Sequence, residues 1–531
     1  MSADRNAHAR SVAVEPGRTR LDTLLLLALV GGLVLLALKC AWVCDDAYIT
    51  FRVVDNFVEG YGLRWNTVER VQAYTNPLWM GLVTLPYALT REPYYTSLAL
   101  SLACTALVGL GFALKVTRDI AGAALALTVL CGSKAFVDFS TSGLENPLLH
   151  VALLGALATW TSPEPDRNRS LKLGLWGSAV ALTRLDALAL LAPVLAAHLW
   201  HERSMRARRQ LALGFAPLVA WELFSLAYYG AWIPNSAISK LSSGLPQSEL
   251  SAQGVSYLAN SLALDPLTFL AIAAACAVAV WKRERTLLAA TLGILLHLFY
   301  VTRVGGDFMS GRFLTAPLLV AAWVLATARL DVRACAVGAL GVLVLVGFTP
   351  RSPLRAPIDY AQGKRSPEFI AATGIADERG YWYAVAGLFS PNLASDGKLH
   401  VQKGHPLAAQ FRERGTRVSL AEGIGYLGYW SGPNVHLVDP MGLSDALLAR
   451  LPIYVDGKFV EAEKNAANAT RGWRVGHYYR AVPKGYLESL GDPTIALEEP
   501  DLEKLRRELD LLTRAPLFDV ERWRAIARRA L

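Results

Sequence analysis

The sequence predicts a mainly α-helical, polytopic membrane protein of about eleven spans, followed by a C-terminal α/β soluble domain. Three observations predict it. Apolar runs recur through the first 349 residues, whereas from residue 350 onward the chain is charged, rich in Gly and Pro, and lacks any run long enough to cross a bilayer. The chain of 531 residues is 53% hydrophobic and 18% charged, more apolar than ordinary soluble proteins. The connections between the runs are of two alternating kinds, one basic and one mixing acids, glycines and aromatics.

Residues 1–21 form a basic tail carrying Arg5, Arg10, Arg18 and Arg20. The run 22–43 that follows is too long for a signal-peptide core and lacks a small-residue cleavage site, so it reads as a retained first membrane helix with a cytoplasmic N-terminus. Further runs cover 95–114, 120–137, 147–160, 171–200, 211–229, 262–281, 286–302, 313–328 and 334–349. Residues 76–90, short and Pro-bounded, are expected to lie along the outer surface. The 171–200 stretch is too long for one span and is interrupted by Arg184 and Asp186; it is expected to be a hairpin of two short helices with "TRLDA" at its outer tip.

The basic connections are Lys115 with Arg118; Arg167, Arg169 and Lys172; Arg203, Arg206, Arg208 and Arg209; Lys282, Arg283 and Arg285; and Arg329 with Arg333. Placing all of them in the cytoplasm makes 22–349 the membrane domain and puts 350–531 outside. The net charge of +9 is then membrane topology rather than a nucleic-acid footprint. All six cysteines lie in or beside apolar runs, which leaves the C-terminal domain without a disulfide framework.

The outer connections carry the chemistry. The first, within 45–93, opens on Asp45 and Asp46 and holds Arg52, Glu69, Arg70, Tyr74, Asn76 and Trp79. A carboxylate within hydrocarbon costs about 2.5–3.5 kcal/mol or more, so the doublet sits at the water interface. Glu145 lies in "TSGLENP", Arg184 and Asp186 in "LTRLDA", Asn235 and Lys240 in "YYGAWIPNSAISK", and Asp307 and Arg312 in "RVGGDFMSGR". Acids, cations and aromatics at one membrane surface suit a sugar joined to a lipid phosphate. Aromatic faces stack on sugar C–H surfaces, carboxylates accept from hydroxyls, and Arg offers a planar fork to phosphate. Arg312, Lys240 and Arg184 are candidates for the phosphate, and Asp45 or Asp46 for the general base. Neighbouring helical residues point about 100° apart, so one acid should face the cleft and the other orient the loop; Asp45 is the choice for chemistry. The pair also has the oxygen ligands that a divalent cation takes, and whether one binds stays open. No organic cofactor is expected. Singly, each residue also has a structural reading as an interfacial anchor, a solvated helix end or an internal ion pair.

"GIGYLG" (residues 423–428) fits the dinucleotide fingerprint G-x-G-x-x-G. It runs into "YWSGPN", read as a turn rather than a helix, and the domain is placed outside the cytoplasm, so close packing of glycines is the better account. The "DPMGLSD" turn with Asp439 and Asp445 and the "GHYYR" segment with His477 are expected to wall the acceptor cleft.

Residues 45–79, "DDAYITFRVVDNFVEGYGLRWNTVERVQAYTNPLW", resemble the first extracytoplasmic loop of GT-C glycosyltransferases, whose catalytic acid follows the first membrane helix. With "SGLENPL", "LTRLDA", "YYGAWIPN", "GGDFMSGRF", "VDPMGLSDALLARLP" and "GHYYRAVPKGYLES", the chain more specifically resembles the terminal β-(1→2)-arabinofuranosyltransferase branch. The resemblance implies a GT-C-like bundle, a polyprenyl-phosphate-sugar donor, and transfer of a pentofuranose such as arabinofuranose on the outer face of a bacterial plasma membrane. It carries Asp45 and Asp46 onto the family's acidic motif. Membrane lipids and a cell-envelope glycan or glycoprotein acceptor are the implied partners, with no nucleic acid. Alternatives are a lipid-modifying sugar transferase, a flippase or transporter for lipid-linked sugars, and a glycan-binding domain on a membrane anchor. A transporter should show repeated halves and polar residues at mid-membrane, whereas in this chain the polar residues stand at helix ends.

Overall fold

The computed structural model describes residues 19–117, 119–392, 400–402, 404–466, 469 and 471–530. The basic tail up to Arg18, and Arg118, lie outside the described residues. Every predicted apolar run is helical, though the lengths differ from expectation. Among the described residues, three helices are each long and apolar enough to cross a membrane: Arg20–Lys39, Pro93–Val116 and Arg285–Arg303. Two bent pairs, Met205–Gly214 with Ala216–Tyr229 (43°) and Gln247–Leu264 with Pro266–Lys282 (105°), raise the number to as many as five. Ile120–Gly132, Arg312–Thr327 and Val332–Phe348 are shorter apolar helices. By length and composition, then, three to five spans are seen among the described residues, against the eleven expected.

The reason is local. Polar caps break the runs: Ser133 caps Lys134–Asp138 by accepting from the Phe136 amide, and Asp265 caps Pro266–Lys282 by accepting from the Thr268 amide. The latter break is fixed by Pro266 and by Asp265 accepting from the Ser133 hydroxyl at 2.8 Å and the Ala135 amide at 2.9 Å. The 171–200 stretch is two helices, Arg169–Thr183 and Leu188–Glu202, joined by the short turn Leu185–Ala187 at "TRLDA".

At the centre stands Thr315–Thr327, buried on every side from Thr315 to Ala326. A helix apolar all round belongs inside a bundle, and its neighbours Ile120–Gly132, Asn146–Thr161, Pro266–Lys282 and Arg285–Arg303 pack around it. The outward faces of the surrounding helices are apolar too, with Leu24, Leu85, Leu89, Val280, Trp281, Phe299 and Phe348 exposed. Apolar surface on that scale needs lipid. The chain is a multi-pass membrane protein. Close helix approach uses small residues: a Cβ on Gly174 would sit 2.3 Å from the Leu211 carbonyl oxygen, so no larger residue fits.

In residues 350–531, expected to be an α/β soluble domain, helices predominate among the described residues. Strand content is slight: a parallel pair, Val418–Leu420 with His436–Val438, and an antiparallel pair, Tyr454–Val455 with Lys458–Phe459. Helices and turns make up most of the other described residues, the longest helix being Pro500–Thr513. The region also shares a core with the first loop: Trp42, Tyr48, Phe51, Trp65 and Trp79 pack in one cluster with Phe369, Tyr383, Tyr426 and Leu437. Backbone bonds tie the two together, including Leu388 N–H to the Ala41 carbonyl at 2.9 Å and Arg70 N–H to the Thr513 carbonyl at 2.9 Å.

Candidate active site

The acidic doublet opens the helix Asp45–Val58, which follows the first membrane helix after the break Cys40–Cys44. That break is anchored by Trp42, whose indole N–H donates to the Asp138 carbonyl at 2.8 Å, and by the Cys44 amide, which donates to the Ser142 carbonyl at 2.9 Å. Acids in the first turn suit the positive end of the helix.

The two carboxylates part company. Asp45 accepts from the Gly425 amide at 3.2 Å and the Tyr426 amide at 2.8 Å. The glycine motif therefore does open a helix, Tyr426–Ser431, between parallel strands, which corrects the turn expected there. The helix start that would cradle a nucleotide phosphate in a dinucleotide fold instead holds the protein's own carboxylate. A Cβ on Gly425 would lie 2.0 Å from the Asp45 carbonyl oxygen, so only glycine fits. Burial pushes the Asp45 carboxyl up to about 7 against the pull of those amides. Asp46 has neither a hydrogen bond nor an ion pair to its carboxylate among the described residues, and it lines the cavity. Burial raises its pKa, with Arg312 and Lys240 pulling the other way and Asp307 adding to the rise.

The cavity, of about 350 Å³, is walled by both halves of the chain. From the membrane half come Asp46, Tyr74, Asn76, Glu145, Lys240 and Arg312. From the C-terminal half come Glu378, Trp382, Asp439, Arg474, His477 and Tyr479. An ionic knot underlies it. Glu145 is buried and accepts from Asn76 Nδ2 at 2.9 Å, Arg184 at 3.1 Å and Arg312 at 3.0 Å. Burial works to raise its pKa, but the two guanidinium groups outweigh it and hold it below the usual carboxylate range. Arg312 also reaches Asp307 at 3.5 Å, while its Nε stays buried without a partner among the described residues. The motif-bearing connections thus meet at one end of the bundle.

Of the residues singled out in the sequence, Asp45, Asp46, Tyr74, Asn76, Glu145, Lys240, Arg312, Asp439 and His477 line this cavity. The others lie outside it and are occupied elsewhere. Arg184 forks onto Asp186 (3.2 and 2.9 Å) and stacks over Phe313, so neither member of that pair faces the cavity. Arg52 donates to the carbonyls of Trp65 at 2.8 Å and Val435 at 2.9 Å, and Arg70 to that of Tyr228 at 3.1 Å, which makes both of them ties between loops. Glu69 accepts from Asn66 at 3.3 Å and pairs with Arg514 at 3.4 Å. The Trp79 indole donates to the Gly143 carbonyl at 3.0 Å. Asn235 caps the 442–445 turn, donating to the carbonyls of Gly442 at 2.9 Å and Asp445 at 3.0 Å. Asp445 accepts from the Tyr486 hydroxyl at 2.8 Å, and Asp307 is the counter-ion of Arg312.

The sequence reading missed Glu378, Arg474, Arg365, Phe308, Tyr381, Trp382, Tyr479 and Glu422, all on the cavity wall. No spacing marks them; they converge from segments far apart in the chain. Arg365 lies over Tyr381 and Trp382, 4.2 and 4.0 Å from the ring centres, and those two rings stand at 87° to each other, so this corner of the wall offers aromatic faces of the kind that sugar C–H groups pack on. Among the described residues no three His, Cys, Asp or Glu side chains are grouped to hold a metal ion. Asp45, bonded to two amides, is poorly placed to share one with Asp46.

Fold and site together define a polytopic membrane protein with a polar, cation-rich cavity at the ends of its helices. The chain is similar to the terminal β-(1→2)-arabinofuranosyltransferases: 29% identical over 329 residues to that of Mycobacterium tuberculosis, covering 52% of this chain and 51% of that one. It is 26% identical over 340 residues to the Corynebacterium glutamicum protein of the same name, covering 52% and 46%. The chain spans about half the length of the curated relatives it matches. No family model matches it. Among solved structures it is similar to ArnT from Cupriavidus metallidurans bound to undecaprenyl phosphate, with TM-score 0.41 and 17% identity over 80% of this chain and 76% of that one. The resemblance drawn from the motifs is thus supported: the chain is similar to arabinofuranosyltransferases over about half of its length.

Proposed function

We propose that the protein is a membrane glycosyltransferase. It moves a sugar, arabinofuranose or a related pentose, from a polyprenyl-phosphate donor to a cell-envelope glycan or glycoprotein at the outer face of a bacterial plasma membrane. The observation that carries this reading is a carboxylate, Asp46, with no hydrogen bond or ion pair among the described residues, in one cavity with Arg312, Lys240 and Arg474. The acceptor hydroxyl attacks the anomeric carbon and loses its proton to Asp46, while the bond from that carbon to the phosphate oxygen breaks. Polyprenyl phosphate leaves with the electron pair, and the cations stabilise the charge that develops on it. This moves the base from Asp45 to Asp46. Asp45 takes the orienting role, because its lone pairs already accept from two amides.

Incubating purified protein with radiolabelled polyprenyl-phospho-arabinose and a panel of envelope acceptors tests the reading. Label on an acceptor supports it. No transfer to any acceptor, with the lipid left intact, would sink it. Arg312→Lys keeps the charge but loses the fork that spans Glu145 and Asp307, so a raised donor KM and a lowered kcat are expected. Kinetics identical to wild type would return Arg312 to a structural role.

The proposed sidedness has its own test. The C-terminal half and the motif-bearing connections share one end of the bundle, and basic connections bond one another away from it, as Lys282 does with the Arg329 carbonyl at 3.2 Å. A reporter active only outside the cytoplasm, fused after residue 531, is expected to be active. Activity from a cytoplasm-only reporter at that site would invert the orientation.

A further inference from the structure

Glu378 has no place in the transfer chemistry above, yet it is built into the cavity with care. It opens the helix Glu378–Ala386, and its two chain neighbours are both clamped to the bundle. Asp377 accepts from Lys134 Nζ at 3.0 Å and from the Tyr360 hydroxyl at 2.7 Å, and Arg379 donates to Asp138 at 2.6 Å. Successive helical side chains diverge by about 100°, so these clamps fix Glu378 on the cavity wall. The residue is 6% exposed. Its Oε1 accepts from the Trp382 indole at 2.8 Å, whereas Oε2 is buried with no partner among the described residues.

Two more residues lining the same cavity carry a buried polar atom with no partner among the described residues: Arg312 Nε and Ser236 Oγ. A guanidinium N–H and a hydroxyl are donors. An ionised Glu378 would add an acceptor bearing a full negative charge, costly to bury unpaired and repellent to an anion. A neutral Glu378 would add a third donor. Burial favours the neutral form and pushes the carboxyl up to about 8; Arg474 and the Trp382 bond oppose this, and Asp46 and Asp307 reinforce it. The other charged groups on the cavity wall are Asp45, Glu145, Lys240, Arg312, Arg365, Glu422 and Asp439.

We infer that Glu378 works as a neutral carboxylic acid, donating a hydrogen bond from Oε2 to a phosphate oxygen of the lipid donor beside Arg312 Nε and Ser236 Oγ. The inference rests on the donor reading above and adds to it a recognition residue that acts by remaining protonated. A bound phosphate would in turn raise the affinity of Glu378 for its proton, so binding and protonation are linked.

The experiment is calorimetric titration of the purified full chain with undecaprenyl phosphate across pH 7.5–9.5, a window in which the lipid phosphate, with a second pKa of about 6, no longer changes charge. Wild-type affinity is expected to fall by up to roughly tenfold per pH unit at the alkaline end. Glu378→Gln, which keeps a donor and cannot ionise, is expected to bind with little change across the same range, and Glu378→Ala to bind more weakly at every pH. Should the variants fail to fold, repeating the wild-type titration near pH 8 in two buffers of different ionisation enthalpy decides the matter: net proton uptake on binding supports the inference, and none overturns it. A wild-type pH profile reproduced by Glu378→Gln also overturns it while leaving the donor reading intact. No binding of undecaprenyl phosphate at any pH removes both.

Discussion

Asp46→Asn is expected to lower sugar transfer by about 10²–10⁴-fold, the range that loss of a general base commonly costs, with donor-lipid binding retained. The substitution keeps volume and polarity and removes only the proton acceptor. Because the Asp46 carboxylate has no bond to protein among the described residues, no structural tie is broken, and the folded protein should survive. The wild-type rate should fall as pH drops through the Asp46 pKa. Burial raises that pKa, so the acid limb should begin above the ordinary carboxylate range of about 3.9. Asp45→Asn should behave differently. The two backbone amides donate to different carboxylate oxygens, so the single amide oxygen of Asn keeps one bond and its NH2 faces the other N–H; thermal stability should carry much of the loss and transfer should fall less. If purified, folded Asp46→Asn transfers at the wild-type rate while Asp45→Asn does not, Asp45 is the base and Asp46 the orienting acid.

Gly425→Val is expected to abolish transfer and to lower the yield of folded protein. Even the first added carbon would meet Asp45 backbone, with its carbonyl oxygen at 2.0 Å and carbonyl carbon at 2.5 Å, and its carboxyl carbon at 2.6 Å. Backbone cannot swing aside as a flexible side chain can. The helix start would have to withdraw from Asp45, opening the cavity where the two halves of the chain meet. Gly423→Ala is the control. Nothing lies within 4 Å of its Cβ position, and the cost is that of a left-handed φ of +64° alone, about 1–2 kcal/mol. A thermal melt and a transfer assay on both variants check the contrast. Equal effects would mean that the loop senses backbone conformation rather than its contact with Asp45.

The glycine motif shows how sequence and structure divide the account. Its spacing is visible, but the turn expected after it is not what forms, because the glycines open the helix Tyr426–Ser431. What the loop holds instead was not legible, because residues 45 and 425 are far apart in the chain and only the fold brings them together. Glu378 is the same case more sharply: "GIADERG" contains no pattern that distinguishes its glutamate from a solvated helix start. By contrast, the gathering of Asp46, Asn76, Glu145, Lys240 and Arg312 was legible. Each stands where an apolar run gives way to a connection of the same kind, and alternate connections of a membrane chain must share a side.

Hydrophobic patterning alone determined that this chain is helical, that lipid surrounds much of it, and that its acids and cations collect at helix ends. A bilayer excludes charge and leaves backbone groups no water, so those outcomes follow from composition and order along the chain. Tertiary structure decided the rest: which helices reach full length, that residues 350–531 share a core with the first loop, and which polar residues stay free. Arg52, Arg70, Arg184 and Asp186 have the same chemistry as residues on the cavity wall. They differ in where the fold puts them: their carbonyls and counter-ions hold them off the cavity wall, whereas Asp46 is left on it with no hydrogen bond or ion pair among the described residues.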